Sequence, residues 1–294
     1  MANLRDIRNR ISSIQNTQQI TRAMKMVAAA KLRKAQQRMD QTRPYAQKMR
    51  SVVERLVSGA GAENEILRMP ESTEAVLLIV VGSDRGLCGG FNNNLFKVVE
   101  KTIESKYKTF HDNGTLDLVT VGKKAGAYFK KRRYKIVDTH PGFFDDLNYV
   151  STAEIMSVAT DKFVDETYDK VLIAYNEFKS VISQNRLVTE VLPIQRDDLE
   201  EESSKEFIDY IFEPDADAIL DEILPLHLNM QLWRAVLESN ASEQGARMAA
   251  MDNATENAKE LEEELRLEYN QARQSAITTE ISEIVSGAAA LEDA

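Results

Sequence analysis

Residues 233–290 read WRAVLESNASEQGARMAAMDNATENAKELEEELRLEYNQARQSAITTEISEIVSGAAA, with no proline and only two glycines, Gly245 and Gly287. Apolar or small residues recur every three or four positions, which is the spacing of one helical face. We predict one helix on the order of 90 Å long, which needs a partner along its length. Its predicted face comprises Trp233, Leu237, Gln244, Met248, Met251, Ala258, Leu261, Leu265, Tyr269, Ala272, Ala276, Ile277, Ile281, Ile284, Ala288 and Leu291.

A second long helix is predicted at the other end of the chain, over residues 3–57. Pro44 lies within it and is expected to kink it, because proline lacks an amide donor and crowds the preceding turn. Since both ends carry a helical seam, we expect an antiparallel coiled coil with the intervening residues inserted at one end. The first seam is predicted to run through Leu4, Ile7, Ile11 and Ile14, resume at Ile20, Met24, Val27, Ala28, Leu32, Ala35 and Met39, and extend to Met49, Val53 and Leu56.

The charge distribution supports this pairing. Net charge is −10, yet residues 1–50 carry 12 Lys or Arg against two Asp, whereas residues 241–294 carry 4 basic against 12 acidic residues. Two independently solvated helix faces would also explain this contrast. The alternative interpretation is that the two termini lie side by side, with opposite charges flanking the seam.

Between the helices the pattern changes to short apolar runs that alternate with amphipathic segments. Strands are predicted at 75–81, 116–122, 134–140 and 169–178, with an antiparallel edge strand at 185–194; helices are predicted from 92, over 122–132 and over 152–165. This order favours a three-layer, Rossmann-like α/β domain. We therefore divide the chain into a helix (1–58), an α/β domain (74–195), an acidic connection (196–225) that Pro225 closes, and a second helix (226–290).

The chemistry-bearing residues do not combine into an active site. The loop GSDRGLCGG (82–90) lacks the lysine and spacing of a phosphate-binding motif, so we interpret it as a tight turn whose glycines allow positive φ. Cys88 is the only cysteine and is expected to be a small buried thiol. The three histidines are scattered, and Asp145 and Asp146 are expected to point to opposite faces of a strand. We predict no catalytic residue, cofactor or metal.

The N-terminus lacks the apolar core of a signal peptide, and no stretch approaches the roughly 18 apolar residues of a membrane span. We expect a cytosolic chain. A basic start can also indicate a transit peptide, but here it continues into the helical repeat. The same basic helix could bind nucleic acid, although the acidic C-terminal helix would repel phosphate.

Several segments together resemble the γ subunits of F-type ATP synthases. They are IQNTQQITRAMKMVAAAKLRKAQ near the N-terminus, GSDRGLCGGFN, EPD at 213–215, and ESNASEQGARMAAMDNATENA and YNQARQSAITTEISEIVSGAAAL near the C-terminus. The resemblance implies a non-catalytic rotor shaft that couples proton flow to ATP synthesis. It implies as partners a ring of three α and three β subunits, the ε subunit and the membrane-embedded c ring, on the cytoplasmic face of a bacterial inner membrane.

The resemblance also implies contact residues. Met24, Arg247, Gln274, Thr278 and Glu280 match positions that touch the β subunits; Asp84, Arg85 and Cys88 lie in a loop at the level of the β subunits' acidic lever; Tyr210 and Glu213 match the region that meets the c ring. The apolar tip ISEIVSGAAAL is expected to need an apolar sleeve. Two alternatives remain: an α/β enzyme dimerised by its terminal helices, with a nucleotide in the Gly82–Gly90 loop, and a coiled-coil scaffold or nucleic-acid binder.

Overall fold

The computed structural model describes residues 4–60, 64–194 and 216–292. By contacts the chain forms two compact units, residues 29–247 and the paired segments 1–28 and 248–294. The elements in chain order are α1 (Leu4–Ala60), a 3-10 turn (Glu65–Leu67), β1 (Val76–Val81), α2 (Phe91–Lys106), α3 (Lys108–Asn113), β2 (Leu116–Val121), α4 (Lys123–Lys131), β3 (Ile136–His140), α5 (Tyr149–Val164), β4 (Lys170–Phe178), β5 (Gln184–Leu192) and α6 (Ala216–Glu292).

The unit at 29–247 contains a five-stranded sheet of order β3-β2-β1-β4-β5. The first four strands are parallel, and β5 pairs antiparallel with β4. Every residue of β1 and of β2 is buried. The uninterrupted apolar run of β1 and the mainly apolar β2, which contains Asp117 and Thr120, are typical of central parallel strands that are covered on both faces. The predicted mixed sheet is confirmed.

Helices cover both faces of this sheet. On one face α2 and α4 contribute Leu95, Phe96, Ala125 and Phe129 to a core with β1 and β2. On the other face lie α5, the end of α1 and the first turns of α6, whose buried residues Leu220, Leu224, Leu228, Leu232 and Val236 contact the sheet core. The predicted three-layer domain is therefore confirmed, with the two long helices supplying part of one layer.

The second unit is a pair of helical segments joined by polar contacts. Arg8 Nη2 donates to Tyr269 Oη at 2.7 Å, Gln15 Nε2 donates to Glu262 Oε1 at 2.8 Å, and the hydroxyls of Thr21 and Thr255 lie 2.8 Å apart. Lys25 forms an ion pair with Asp252. As the residue number of the α1 partner rises along these contacts, that of the α6 partner falls by about the same amount. The predicted antiparallel coiled coil is confirmed.

Several residues predicted in the seams are exposed instead, among them Ile20 by 59%, Val27 by 56% and Leu261 by 42%, and, closer to the C-terminus, Ile277, Ile281 and Ile284. Burial on α1 follows steps of four and three from Ile7 through Gln18 and Thr21 to Ala28. A coiled coil keeps a period of 3.5 residues, so its seam continues through the polar interval. The prediction instead resumed at the next apolar side chain, one position out of register.

Both helices also contain a proline. The helix α1 continues on both sides of Pro44. The helix α6 begins at Ala216, ten residues before the predicted start at 226, so Pro225 lies inside it rather than ending a connection. The rest of the predicted acidic connection, residues 196–215 with its aromatic cluster Phe207, Tyr210 and Phe212, falls outside the described residues.

Candidate functional site

The 82–90 loop leaves the carboxyl end of β1, beside the point where the strand order reverses between β1 and β4. Open α/β sheets bind ligands in the crevice at this position. Pairing between β1 and β4 ends at Val80 and Ala174, so the following residues of β4 have no β1 neighbour. This stretch of β4 backbone, unpaired on its β1 side, is where a ligand or another part of the chain can bind.

The chain's own helix α6 occupies that position. Asn176 N donates to Ser239 Oγ at 3.1 Å, and Ser242 Oγ donates to Asn176 O at 3.1 Å. Gln184 Nε2 donates to Ser242 O at 2.9 Å, and both serines are fully buried. Small hydroxyl side chains on α6 thus satisfy the β4 backbone where β1 has ended. The segment SNAS at 239–242 was the sequence signal for this contact. The search for apolar periodicity did not predict it.

Asp84 organises the base of the loop. Its Oδ1 accepts hydrogen bonds from Lys123 N at 2.8 Å and Gly142 N at 2.7 Å, and its Oδ2 accepts from Phe144 N at 2.9 Å. The first of these amides lies at the N-terminus of α4, where a carboxylate is favoured. Asp84 was predicted as a contact residue, but both of its oxygens are bonded within the chain.

Close packing of glycines supports the same arrangement. Gly122 has a φ of 93°, and a Cβ there would lie 2.8 Å from the carbonyl oxygen of Gly82. Lys124 N donates to Ser83 O at 2.8 Å, so amides at the start of α4 are bonded to the chain itself. The amides of Lys123 and Lys124 at the start of α4 are therefore not available to a phosphate bound beside the loop.

Cys88 lies inside the loop and is only 2% exposed. Asn92 Nδ2 donates to Ser83 Oγ at 2.7 Å and approaches Cys88 Sγ at 3.4 Å, and the thiol faces the carbonyl of Arg85. Burial first, and then the carboxylate of Glu243, raise the pKa of the Cys88 thiol. The prediction of a small buried thiol is confirmed.

The tip of the loop faces solvent. The Arg85 side chain is 69% exposed and pairs with Asp145 at 2.8 Å, and Leu87 is 66% exposed. Leu87 has a φ of 62° and Gly89 of 57°. Positive φ was predicted for the glycines, but here it also falls on a leucine, which is uncommon and presents an apolar side chain outward. Asp145 lies in a turn and not on a strand. The prediction that strand geometry points Asp145 and Asp146 to opposite faces was therefore wrong.

Arg247 of α6 contacts the tip from inside. Its Nη2 lies 3.3 Å from Arg85 O, 3.2 Å from Gly86 O and 2.6 Å from Glu243 Oε1. The side chains of Arg247 and Glu243 are 11% and 5% exposed. Burial raises the pKa of Glu243, and the guanidinium of Arg247 opposes that rise.

The structure places the other predicted contact residues elsewhere. Met24 is partly buried on α1, whereas Gln274, Thr278 and Glu280 are exposed on α6. All four belong to the helical pair, not to the unit that contains the loop. Tyr210 and Glu213 lie outside the described residues.

In residues 4–60, 64–194 and 216–292, no three His, Cys, Asp or Glu side chains cluster so that they could hold a metal ion. Within the same ranges, no helix combines the length and apolar character needed to cross a bilayer.

Fold and loop together define a class of protein: a coiled-coil subunit with an inserted doubly wound domain whose ligand crevice is filled by its own helix. The family model described as ATP synthase matches residues 3–291, and the chain belongs to that family. The ATP synthase gamma chain of Chlorobaculum parvum is 47% identical over 293 residues, covering 99% of this chain and all of that one. The ATP synthase gamma chain of Salinibacter ruber is 48% identical over 306 residues, covering 100% of this chain and 99% of that one.

A solved structure shows the same fold. A chain of the Euglena gracilis mitochondrial ATP synthase, in an assembly of OSCP, F1 and c-ring, aligns with a TM-score of 0.72 at 22% identity. The alignment covers 98% of this chain and 94% of that one. The predicted fold class and the resemblance to γ subunits are therefore confirmed.

Proposed function

We propose that this chain is the central rotor shaft of an F-type ATP synthase and that it couples proton flow through a c ring to ATP synthesis or hydrolysis on neighbouring subunits. Its family and its gamma-chain relatives support this role. In this proposal the helical pair turns inside a ring of three α and three β subunits. The chain catalyses no step itself.

The observation that carries the proposal is the exposed end of α6. Residues 273–288 are exposed throughout, and they include Ile277 (46%), Ile281 (56%), Ile284 (65%) and Val285 (62%). An exposed apolar segment of this length marks an interaction surface. The apolar interior of an α and β ring is the partner surface that fits a single projecting helix.

The polar seam supports the mechanical part of the proposal. A shaft must transmit torque without slipping, and an apolar seam alone specifies register weakly. The bonded pairs of Gln15 with Glu262 and of Thr21 with Thr255 define one register, because a slip would leave these groups unpaired.

The contact residues follow from the same proposal. Met24, Gln274, Thr278 and Glu280 would meet the β subunits along the shaft, and the tip of the 82–90 loop would meet the β subunits' acidic lever. Tyr210 and Glu213 would meet the c ring, with the ε subunit beside the α/β domain. The complex would sit on the cytoplasmic face of a bacterial inner membrane, which this chain contacts peripherally.

Reconstitution tests the proposal. The purified chain should show no ATP hydrolysis alone, should assemble with α, β and ε subunits, and should rotate in the immobilised α3β3 complex when ATP is added. Hydrolysis by the isolated chain at a rate comparable with that of the complex would refute it, as would a complex that hydrolyses ATP while this chain stays stationary.

A further inference from the structure

We propose that Arg247 is a positioning residue that works inside the chain and holds the tip of the 82–90 loop in the conformation presented to the neighbouring subunit. We call Arg247, Glu243 and the carbonyls of Arg85 and Gly86 the Arg247 latch. This inference rests on the proposed function, because it assigns a role in coupling to one contact of the rotor. It also replaces the expectation that Arg247 itself touches a β subunit.

In the latch, the guanidinium of Arg247 is hydrogen-bonded within the chain. Nη2 carries two hydrogens and has three acceptors, namely Glu243 Oε1 at 2.6 Å and the carbonyl oxygens of Gly86 and Arg85 at 3.2 and 3.3 Å. One short charge-assisted bond and one bond shared between two carbonyls satisfy this arrangement. With 11% of its side chain exposed, Arg247 has little surface left for a partner.

Apart from the Arg247 latch, the tip of the loop is held by the exposed ion pair of Arg85 with Asp145 and by hydrogen bonds to Arg85 O. Asp84 and Asn92 hold the base, and Ser83 Oγ donates to Arg85 O at 2.8 Å. Beyond them the backbone turns through a positive φ at Leu87 and exposes two large side chains. A residue in a sparsely populated backbone region persists only where its surroundings hold it. The Arg247 latch supplies that restraint from α6.

Cys88 makes the restraint measurable. It is the only thiol of the chain, it lies within the loop, and it is 2% exposed. A maleimide or a disulfide reagent reaches it only when the loop opens, so the labelling rate of the full-length chain reports loop opening.

The control comes from the same helix. Arg234 and Glu238 also form an ion pair four residues apart, with an Nε to Oε1 distance of 2.8 Å, although the Arg234 side chain is 58% exposed. Arg247→Met should speed labelling of Cys88 about tenfold or more, since weakening hydrogen bonds to a charged group shifts a local opening by at least that factor. Arg234→Met should stay within about twofold of the parent chain. Arg247→Lys should restore part of the slow labelling.

Electrostatics alone would act in the opposite direction. The charge of Arg247 lowers the pKa of the Cys88 thiol, against the raising effects of burial and Glu243. Removing that charge therefore decreases the thiolate fraction and slows labelling at a given pH. Faster labelling of Arg247→Met consequently reports opening of the loop. Circular dichroism of each variant confirms that α6 is retained.

The second measurement uses the reconstituted membrane complex. We expect Arg247→Met to lower the ratio of ATP-driven proton pumping to ATP hydrolysis several-fold, Arg247→Lys to recover part of it, and Arg234→Met to leave it unchanged. Unchanged labelling in Arg247→Met, or equal acceleration in Arg234→Met, overturns the proposal. Lower coupling without faster labelling also overturns it, because it indicates direct contact with a partner. Faster labelling with an unchanged ratio of proton pumping to ATP hydrolysis would show that the loop conformation held by Arg247 has no role in coupling, and would overturn the proposal. If the proposed rotor function were wrong, the complex with the unmodified chain would itself fail to couple ATP hydrolysis to proton pumping.

Discussion

At the scale of single residues, the molecule contains polar side chains in its interior whose neighbours determine their protonation. His227 on α6 is 6% exposed and lies 2.7 Å from Gln231 Nε2. An amide nitrogen only donates, so the imidazole Nε2 accepts, and a protonated ring cannot do so. Burial, followed by the charge of Arg50 on α1, lowers the pKa of His227 from 6.5 to about 4.

His227 therefore predicts an acid-side loss of stability. Between pH 6.5 and about 4 the imidazole of His227 is protonated in the unfolded chain but stays neutral in the folded chain. The stabilising contribution is present above pH 6.5 and falls, by up to about 3 kcal/mol, as pH drops through this range. His227→Gln keeps an acceptor for Gln231 and should remove this slope. Urea unfolding of both chains at pH 7.5, 6, 5 and 4.5 measures it.

The comparison isolates His227 because other groups titrate in both chains. Burial raises the pKa values of Glu238 and Glu243, and these carboxyls favour the folded state as pH falls. Their effect cancels in the difference between the two chains. A difference in unfolding free energy that does not change with pH would contradict the assignment.

At the scale of elements, the long helices follow a strict seam that tolerates polar residues. The side chains at Gln18, Thr21 and Lys25 stand where an apolar repeat would place Leu or Ile, and burial still follows the repeat. Cross-helix bonds offset the loss of apolar burial at Thr21, whose hydroxyl lies against that of Thr255. The burial of these helices therefore follows the spacing of the seam positions more closely than it follows the apolar residues in the sequence.

Two leucines on α6 test this register. Leu265 is 8% exposed in the seam, whereas Leu261, one helical turn earlier, is 42% exposed. Leu265→Ala should destabilise the helical pair by about 2 kcal/mol, since it removes a buried side chain. Leu261→Ala should cost less than about 0.5 kcal/mol. Hydrogen exchange at the amides of residues 258–269 in the full-length chain compares them. Equal protection in both variants would show that the seam runs elsewhere.

At the scale of the whole molecule, α6 changes its environment along its length. Its first turns form part of the sheet core, its serines bond to β4, and its residues 273–288 are exposed among the residues that the structure describes. One helix thus combines domain core, paired helix and free end. This is the arrangement expected of a subunit that completes its packing only within an assembly.

The free end supplies a prediction about assembly. A variant with Ile277→Ser and Ile281→Ser removes two half-exposed apolar side chains. The isolated chain should unfold within about 0.5 kcal/mol of the parent, because neither side chain is buried. The variant should bind less of a hydrophobic dye and should assemble less completely with α and β subunits. Ile182→Ser, at a position that is 92% exposed outside the helices, provides the control. Full assembly of the double variant would exclude this segment as the contact surface.

Much of the architecture could be predicted from the sequence because its signals are local and periodic. The run AVLLIVV at 75–81 predicted a buried strand, and the alternation of strands and helices predicted the three-layer domain, as the structure confirms. The single Cys88 was predicted to be buried and is. The 82–90 loop was selected as a contact site through a resemblance to γ subunits and not through its chemistry, and that role stays a prediction.

The sequence alone therefore determined the two long helices, the mixed sheet between them and their antiparallel pairing, because each depends on spacing within one segment or on charge between two. Only the tertiary structure decided how the 82–90 loop and the end of β4 are held. Asp84, Ser242 and Arg247 lie far apart in the chain from the backbone groups that they bond, and no periodic pattern encodes such contacts. The seam register at Ile20 and Leu261 was also decided in three dimensions, because the partner helix selects positions at a period of 3.5 whatever their polarity.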